Sequence, residues 1–280
     1  WITSRGLGDV YKRQNLNRWK KVSRLEKNRK GITKIALVGK YTELADSYKS
    51  VNEALVHAGI HNKTEVEIEY FDSQDFNNGV TKFRPQGILI PGGFGGRGID
   101  GMINVAKFAR TKNIPFFGIC LGMQVAVIEF ARNVLKISAN STEFEKTTKH
   151  PVIALITEWM DKKGLTQIRN ENSDKGGTMR LGSQVCILEK NSKMSKMYGG
   201  RKISERHRHR YEFNSNYLRK IKSKGMNVVG FSEDKNLVEA IELKGHKWFV
   251  GCQFHPEFTS DPRTGHPLFN GFIRAAKVTK

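Results

Sequence analysis

The chain has 280 residues, 38% of them hydrophobic, with 7 prolines and 3 cysteines, enough for one large domain or two small ones around a well-buried core. Its net charge of +21 is concentrated in residues 1–34, with 11 basic and 2 acidic side chains, and in residues 162–224, with 17 and 5. Cys120, Cys186 and Cys252 are odd in number, widely spaced and form no CxxC pair, which excludes a disulfide framework or a structural zinc site and favours a reducing compartment.

Residues 1–14, WITSRGLGDVYKRQ, begin on Trp rather than Met and have neither an apolar core segment nor a helical period. They read as vector or sequencing read-through, not as a secretory signal. Residues 15–33 are polar and basic and read as a linker with a short helix near Leu16–Leu25, so the folded domain is expected over 34–280. ITKIALVGKY (32–41) is a β-rich run. In DSYKSVNEALVHAG, Tyr48, Val51, Leu55 and Ala58 fall at helical spacing, and Gly59 is expected to close the helix. EVEIEYFDS (65–73) alternates as a half-buried strand, and GILIPGG (87–93) is a buried strand stopped by Pro91 and glycines. INVAKFART (103–111) reads as a helix, IPFFGIC (114–120) as a strand, and GMQVAVIEFARNV (122–134) as a strongly apolar helix. The longest stretch free of Lys, Arg and Asp, Ile114–Phe130, contains Pro115, Gly118, Gly122, Gln124 and Glu129, so no membrane span is expected.

After residue 150 the pattern turns to strands: HPVIALI, TMRLGSQVCIL, NVVGFSE, LVEAIELKG and KWFVGCQFHPE. PLFNGFIRAAKV is an amphipathic closing helix. The basic segment lacks interleaved aromatics and reads as a solvated surface loop, with a nucleic-acid-binding surface as the alternative. Strands alternating with helices at this spacing define an α/β fold. A flavodoxin-like, mostly parallel sheet should carry helices on both faces, with an antiparallel extension after it.

Sites in such sheets lie beyond the carboxyl ends of strands, and three motifs fall there. FFGICLGMQ places Cys120 between a strand and a helix, with Gly118 and Gly122 two residues to either side. A buried core cysteine is the plain reading. A nucleophile elbow with cysteine in place of serine is the sharper one, because the turn leaves helix N-terminal N–H groups near the sulfur and places the Leu121 N–H for an oxyanion. CQFHPEF (252–258) carries His255 and Glu257 one residue apart, expected on an extended segment and projecting to the same side. A carboxylate that orients an imidazole is what a Cys–His pair requires. PGGFGGRG (91–98) matches G-x-G-x-x-G formally. However, no acidic residue stands about 20 residues on to hold a ribose, and no Gly-Lys-Ser/Thr follows. It reads better as a glycine loop whose N–H groups face the elbow from the neighbouring strand.

GKYTELADSYKSVNEAL, PGGFG, GICLGMQ, NSTEF, GGTMRLG, RHRHRYEFN and CQFHPEFTSDPRTGHPLF occur in that order. With these motifs the chain resembles the class I (triad) glutamine amidotransferases, and within them the glutaminase domains of the CTP synthase family, from about Leu16 to Lys277. The resemblance implies Cys120 as nucleophile, His255 as general base and acid, and Glu257 as its orienting partner. It implies L-glutamine contacts at Gly93, Leu121, Gly122, Met123, Gln124, Glu143 and Arg210, with no metal. Glu143 offers an anion for the substrate ammonium, and the Arg210–Tyr211 stretch offers donors for its carboxylate. RHRHRYE then reads as a substrate-site segment.

The resemblance further implies an amidoligase domain ahead of this one that binds UTP, ATP and Mg2+. Only the linker of that part is in this sequence, so no cofactor is expected in the chain itself. GTP as an allosteric activator, a homo-oligomeric full-length enzyme and a cytoplasmic location are implied in the same way. No role follows for the Lys-rich 162–202 segment. Within the enzyme class another triad amidotransferase or a γ-glutamyl hydrolase is the alternative.

Overall fold

The computed structural model describes residues 16–42, 45–74, 76–155 and 179–277. The 1–14 read-through and the 162–178 part of the basic segment lie outside the described residues. The first half alternates helices and strands: α1 (Asn17–Lys27), β1 (Ile32–Gly39), α2 (Lys49–Asn62), β2 (Glu65–Asp72), α3 (Phe76–Phe83), β3 (Gly87–Ile90), α4 (Ile99–Thr111), β4 (Phe116–Ile119) and α5 (Leu121–Asn133). Then follow β5 (Ala139–Ser141), β6 (His150–Leu155), β7 (Arg180–Leu188), α6 (Lys193–Tyr198), β8 (Lys202–His209), β9 (Tyr211–Phe213), α7 (Leu218–Ser223), β10 (Met226–Ser232), β11 (Val238–Leu243), β12 (Phe249–Cys252) and α8 (Pro267–Ala276).

A nine-stranded sheet runs β2-β1-β3-β4-β12-β11-β10-β7-β8, and a smaller three-stranded sheet runs β5-β6-β9. The strands from β2 to β12 pair in parallel, and those from β12 to β8 pair antiparallel. This is the expected α/β sheet with its antiparallel extension. β3 and β4 are fully buried because helices cover both faces, which explains their unbroken apolar runs. One face packs Ala36, Val38, Ile88 and Ile90 against α4 and α5. The other packs Ile35, Leu37, Leu89 and Phe117 against α2 and α8, with Phe117 and Phe269 meeting edge to face at 5.3 Å. Glu129, the one acid inside apolar α5, is fully buried. Arg110 of α4 holds it by two bonds of 2.8 Å, so the pair is bidentate and locks the two helices together.

Several boundaries differ from the sequence expectation. Gly59 does not close α2. The helix continues to Asn62 and ends on Lys63 at φ +53. Gly59 instead makes room for the next strand, since a Cβ there would lie 2.8 Å from Val66 Cγ2 and 2.9 Å from the Thr64 carbonyl. Helix α4 begins at Ile99 rather than 103, straight after Gly98 at φ +69. The described part of the basic segment is not a loop but strand β7, helix α6 and the start of β8. Among the described residues no helix is long and apolar enough to cross a membrane.

Candidate active site

Cys120 lies between β4 and α5 at φ +52, ψ −103, a conformation that a non-glycine residue adopts only under strain. Its neighbours explain how the turn is held. The Cys120 N–H donates to the Cys252 carbonyl at 2.7 Å, and its own carbonyl accepts from Met123 and Gln124 at 3.1 and 3.2 Å. A Cβ on Gly118 would come within 2.6 Å of the Gly122 carbonyl, and one on Gly122 within 2.1 Å of the Ile90 carbonyl. The turn therefore needs both glycines, because backbone passes backbone where any side chain would stand.

β12 ends alongside β4, and the chain running out of it delivers His255. The His255 N–H donates to the Arg206 carbonyl of β8 at 2.8 Å, and its Nδ1 lies 2.7 Å from Glu257 Oε1. The pairing does not come from an extended segment, as the sequence suggests. Pro256–Thr259 form a 3-10 turn, and Pro256 fixes its first φ, so the carboxylate folds back onto the ring. Phe258 stacks on the imidazole, with ring centres 5.4 Å apart and planes 20° from parallel. A Cβ on Gly92 would sit 2.7 Å from His255 Cε1 and 3.6 Å from Cys120 Cβ, so the glycine loop passes directly beside the sulfur and the imidazole. His255 Nε2 makes no conventional hydrogen bond among the described residues. Burial disfavours its charged form, yet Cys120 and Glu257 outweigh burial and raise its pKa to about 10. Cys120 and His255 thus form a thiolate–imidazolium pair. By contrast, Cys186 and Cys252 are fully buried, and burial drives both thiols to higher pKa.

Glu143 and Arg210 meet beside this centre, lining a cavity of about 250 Å3 with Phe94, Met179 and Tyr211. Glu143 Oε1 accepts from the Gly95 N–H at 2.7 Å, and burial raises its pKa against that bond and the opposing charges of Lys40 and Arg210. A Cβ on Gly93 would lie 3.1 Å from Leu121 Cδ2, which places the glycine loop against the first turn of α5. Gly122 and Met123 are buried in that helix, and the Met123 side chain packs toward Gly251. Gln124 points under the sulfur, its amide nitrogen 3.0 Å from the Tyr211 carbonyl and 3.3 Å from Gln253 Oε1.

Lys40 is a site residue that the motifs did not single out. It is 3% exposed and donates to the Phe94 carbonyl at 3.1 Å and to that of Gly95, holding the glycine loop. Burial lowers its pKa to about 8, despite Glu143. Its position at the carboxyl end of β1, where such sheets build their sites, was the available signal.

Behind the triad His207, His209 and Glu239 bring one ligand atom each within 4.8 Å of one another, all three buried. Arg180 already donates to Glu239 at 2.8 Å and to Glu212 at 3.2 Å. His207 Nδ1 and His209 Nε2 share a hydrogen bond of 2.8 Å, and burial, Arg180 and His255 lower His207 to about 3. This donor set suits a neutral histidine pair beside an arginine-compensated carboxylate better than a cation.

A cysteine elbow, an imidazole carried on a carboxylate and a cavity with one acid and one arginine define a glutamine-cleaving site on a flavodoxin-like sheet. The chain belongs to the class I glutamine amidotransferase family, whose model matches residues 43–275. It is similar to the glutaminase domain of Trypanosoma brucei CTP synthase, solved with bound acivicin, with 37% sequence identity and a TM-score of 0.76 over 87% of this chain and 93% of that one. It also shares its fold with a Thermoplasma acidophilum protein named for GMP synthase, with 16% identity and a TM-score of 0.51 over 87% and 94% of the two chains.

Proposed function

We propose that this chain is the glutaminase domain of a CTP synthase. It would hydrolyse L-glutamine to glutamate and ammonia and pass the ammonia to an amidoligase domain that converts UTP to CTP with ATP and Mg2+, in cytoplasmic pyrimidine nucleotide biosynthesis. The observation that carries the glutaminase reading is Cys120 beside His255, itself 2.7 Å from Glu257, at the edge of the Glu143–Arg210 cavity. What supports CTP synthase in particular is the 37% identity across nearly the whole trypanosomal glutaminase domain.

The thiolate of Cys120 attacks the side-chain amide carbon, and the oxygen takes up negative charge beside the Leu121 N–H and the Gly92–Gly93 backbone. The His255 imidazolium gives its proton to the amide nitrogen, the C–N bond breaks, and ammonia leaves a γ-glutamyl thioester. Water then loses a proton to His255 and attacks the thioester; the C–S bond breaks and returns the thiolate. Glu143 pairs with the α-ammonium and Arg210 with the α-carboxylate.

The test is release of glutamate from glutamine by the purified chain, alone and with a CTP synthase amidoligase domain, together with labelling by a glutamine-mimicking electrophile. Label on Cys120 and loss of glutamate release in Cys120→Ala are expected. Label on Cys252, or hydrolysis that survives Cys120→Ala, would overturn the assignment.

A further inference from the structure

Gln253 is fully buried and stands two residues before His255, at the end of the strand that carries both toward Cys120. Its backbone N–H donates to the Glu239 carbonyl at 2.8 Å. Its side-chain Nε2 lies 3.7 Å from Cys120 Sγ, within hydrogen-bond reach of sulfur.

The orientation of that amide is forced by a chain of partners. The Tyr211 carbonyl can only accept, so the Gln124 atom 3.0 Å away must be its Nε2. The second N–H of that nitrogen faces Gln253 at 3.3 Å, so the atom of Gln253 it meets must be the oxygen. Gln253 then has only its NH2 group left to turn toward the sulfur. Tyr211 itself lines the cavity next to Arg210. Two amides therefore link the wall of the substrate cavity to the nucleophile through buried, oriented hydrogen bonds.

We propose that Gln253 is a catalytic residue that donates a hydrogen bond to the Cys120 sulfur, with Gln124 and the Tyr211 carbonyl as the positioning groups that aim it. An amide cannot take a proton, so its contribution is electrostatic. It holds the thiolate before attack, and it receives the electron pair on sulfur when water displaces Cys120 from the thioester. The imidazolium serves the sulfur from one side and the amide from another, so the anion persists when His255 gives its proton to the leaving nitrogen.

The proposal rests on the glutaminase reading for its consequence in turnover, but its first test needs no glutamine. The alkylation rate of Cys120 by iodoacetamide is measured against pH in the wild type, in Gln253→Met and in Gln124→Met. Methionine matches glutamine in length and removes the donor. Gln253→Met should alkylate Cys120 roughly five- to tenfold more slowly at pH 7, the scale of one hydrogen bond to a charged group, and its pH midpoint should move upward. Gln124→Met leaves Gln253 in place but frees it to rotate, and should shift the profile in the same direction by less. In glutamate release, kcat should fall while KM changes little. A purely structural Gln253 would lower the melting temperature and leave the alkylation profile where it was. An unchanged profile in either variant, with cooperative melting retained, overturns the proposal. A wild type that releases no glutamate while its alkylation depends on Gln253 would sink the glutaminase reading and leave this one standing.

Discussion

A non-glycine residue held at positive φ costs on the order of 1–3 kcal/mol, and Cys120 at φ +52 carries such a cost for the sake of where it puts the sulfur. Cys120→Ala keeps the strained backbone and loses the nucleophile, whereas Cys120→Gly loses the nucleophile and relieves the strain. Both should abolish glutamate release, and urea melts should find the glycine variant more stable by about 1 kcal/mol. The reverse order would mean that the turn is not strained at this residue. The imidazole moves the protons and the carboxylate orients it, so His255→Ala should cost far more activity than Glu257→Gln. Equal losses in kcat would refute that division of labour. The charge on the pair has its own signature. Histidine ordinarily titrates near 6.5, and here burial alone would lower that value, but Cys120 and then Glu257 raise it to about 10. The imidazolium is thus retained from about 6.5 up to about 10 and is lost only as pH rises through the upper figure. Followed by NMR of the imidazole, the midpoint should fall sharply in Cys120→Ala, where burial is left with less to oppose it, and less in Glu257→Gln. A midpoint unmoved by Cys120→Ala would show that the sulfur carries no charge.

At the scale of single elements, the elbow depends on two backbones in contact. Gly122 on α5 lies under β3 so closely that a methyl group would be 2.1 Å from the Ile90 carbonyl, and no side chain is there to yield. Gly122→Ala should cost about 3 kcal/mol, the upper end of overpacking effects, and should reduce glutamate release even where the chain stays folded, because α5 carries Cys120 on its first turn. Full activity with unchanged urea stability would show that α5 can shift freely. The sequence disclosed this junction well: an apolar strand, a cysteine, two glycines and an apolar helix leave few alternatives. It disclosed β8 poorly. KISERHRH alternates strictly between exposed and buried positions, but the buried ones after Ile203 are Glu205, His207 and His209, so no hydropathic alternation marks a strand. The inward polar groups are satisfied only by distant partners. Tyr198 and His266 reach Glu205 at 2.7 and 2.9 Å, and the two histidines hold each other. Gln253 escaped notice for the same reason: its partners, Gln124 and Cys120, are 129 and 133 residues away in sequence. The Gly59 expectation failed on a related point, since only the position of β2 shows that the glycine serves packing and not helix termination.

At the scale of the whole molecule, the site opens on a rim of exposed aromatic side chains, Tyr41, Phe94 and Phe258, two of which sit on the catalytic machinery. Phe94 belongs to the glycine loop, and Phe258 stacks on His255. A domain docked on this rim would hold both in register, which is how closure of a partner surface commonly completes a catalytic centre. The same glycine loop is the one segment here that formally resembles a nucleotide fingerprint, but its groups are already engaged. The Gly95 N–H is bound by Glu143, and the Phe94 and Gly95 carbonyls are bound by Lys40. A phosphate seated there would have to displace Glu143 and lie against a carboxylate, which opposes binding. From this follows a prediction for the purified 280-residue chain. Given UTP, ATP, Mg2+ and ammonium it should form no CTP, because the electrophile for ammonia must be made on other residues, and its glutaminase turnover should be slow. Adding a CTP synthase amidoligase domain that associates with it should raise kcat for glutamate release and produce CTP that depends on glutamine and on Cys120. The decisive measurement is CTP formed from ammonium by the chain alone. Turnover that copurifies with it would reveal a nucleotide site that the glycine loop, as it is bonded here, does not provide.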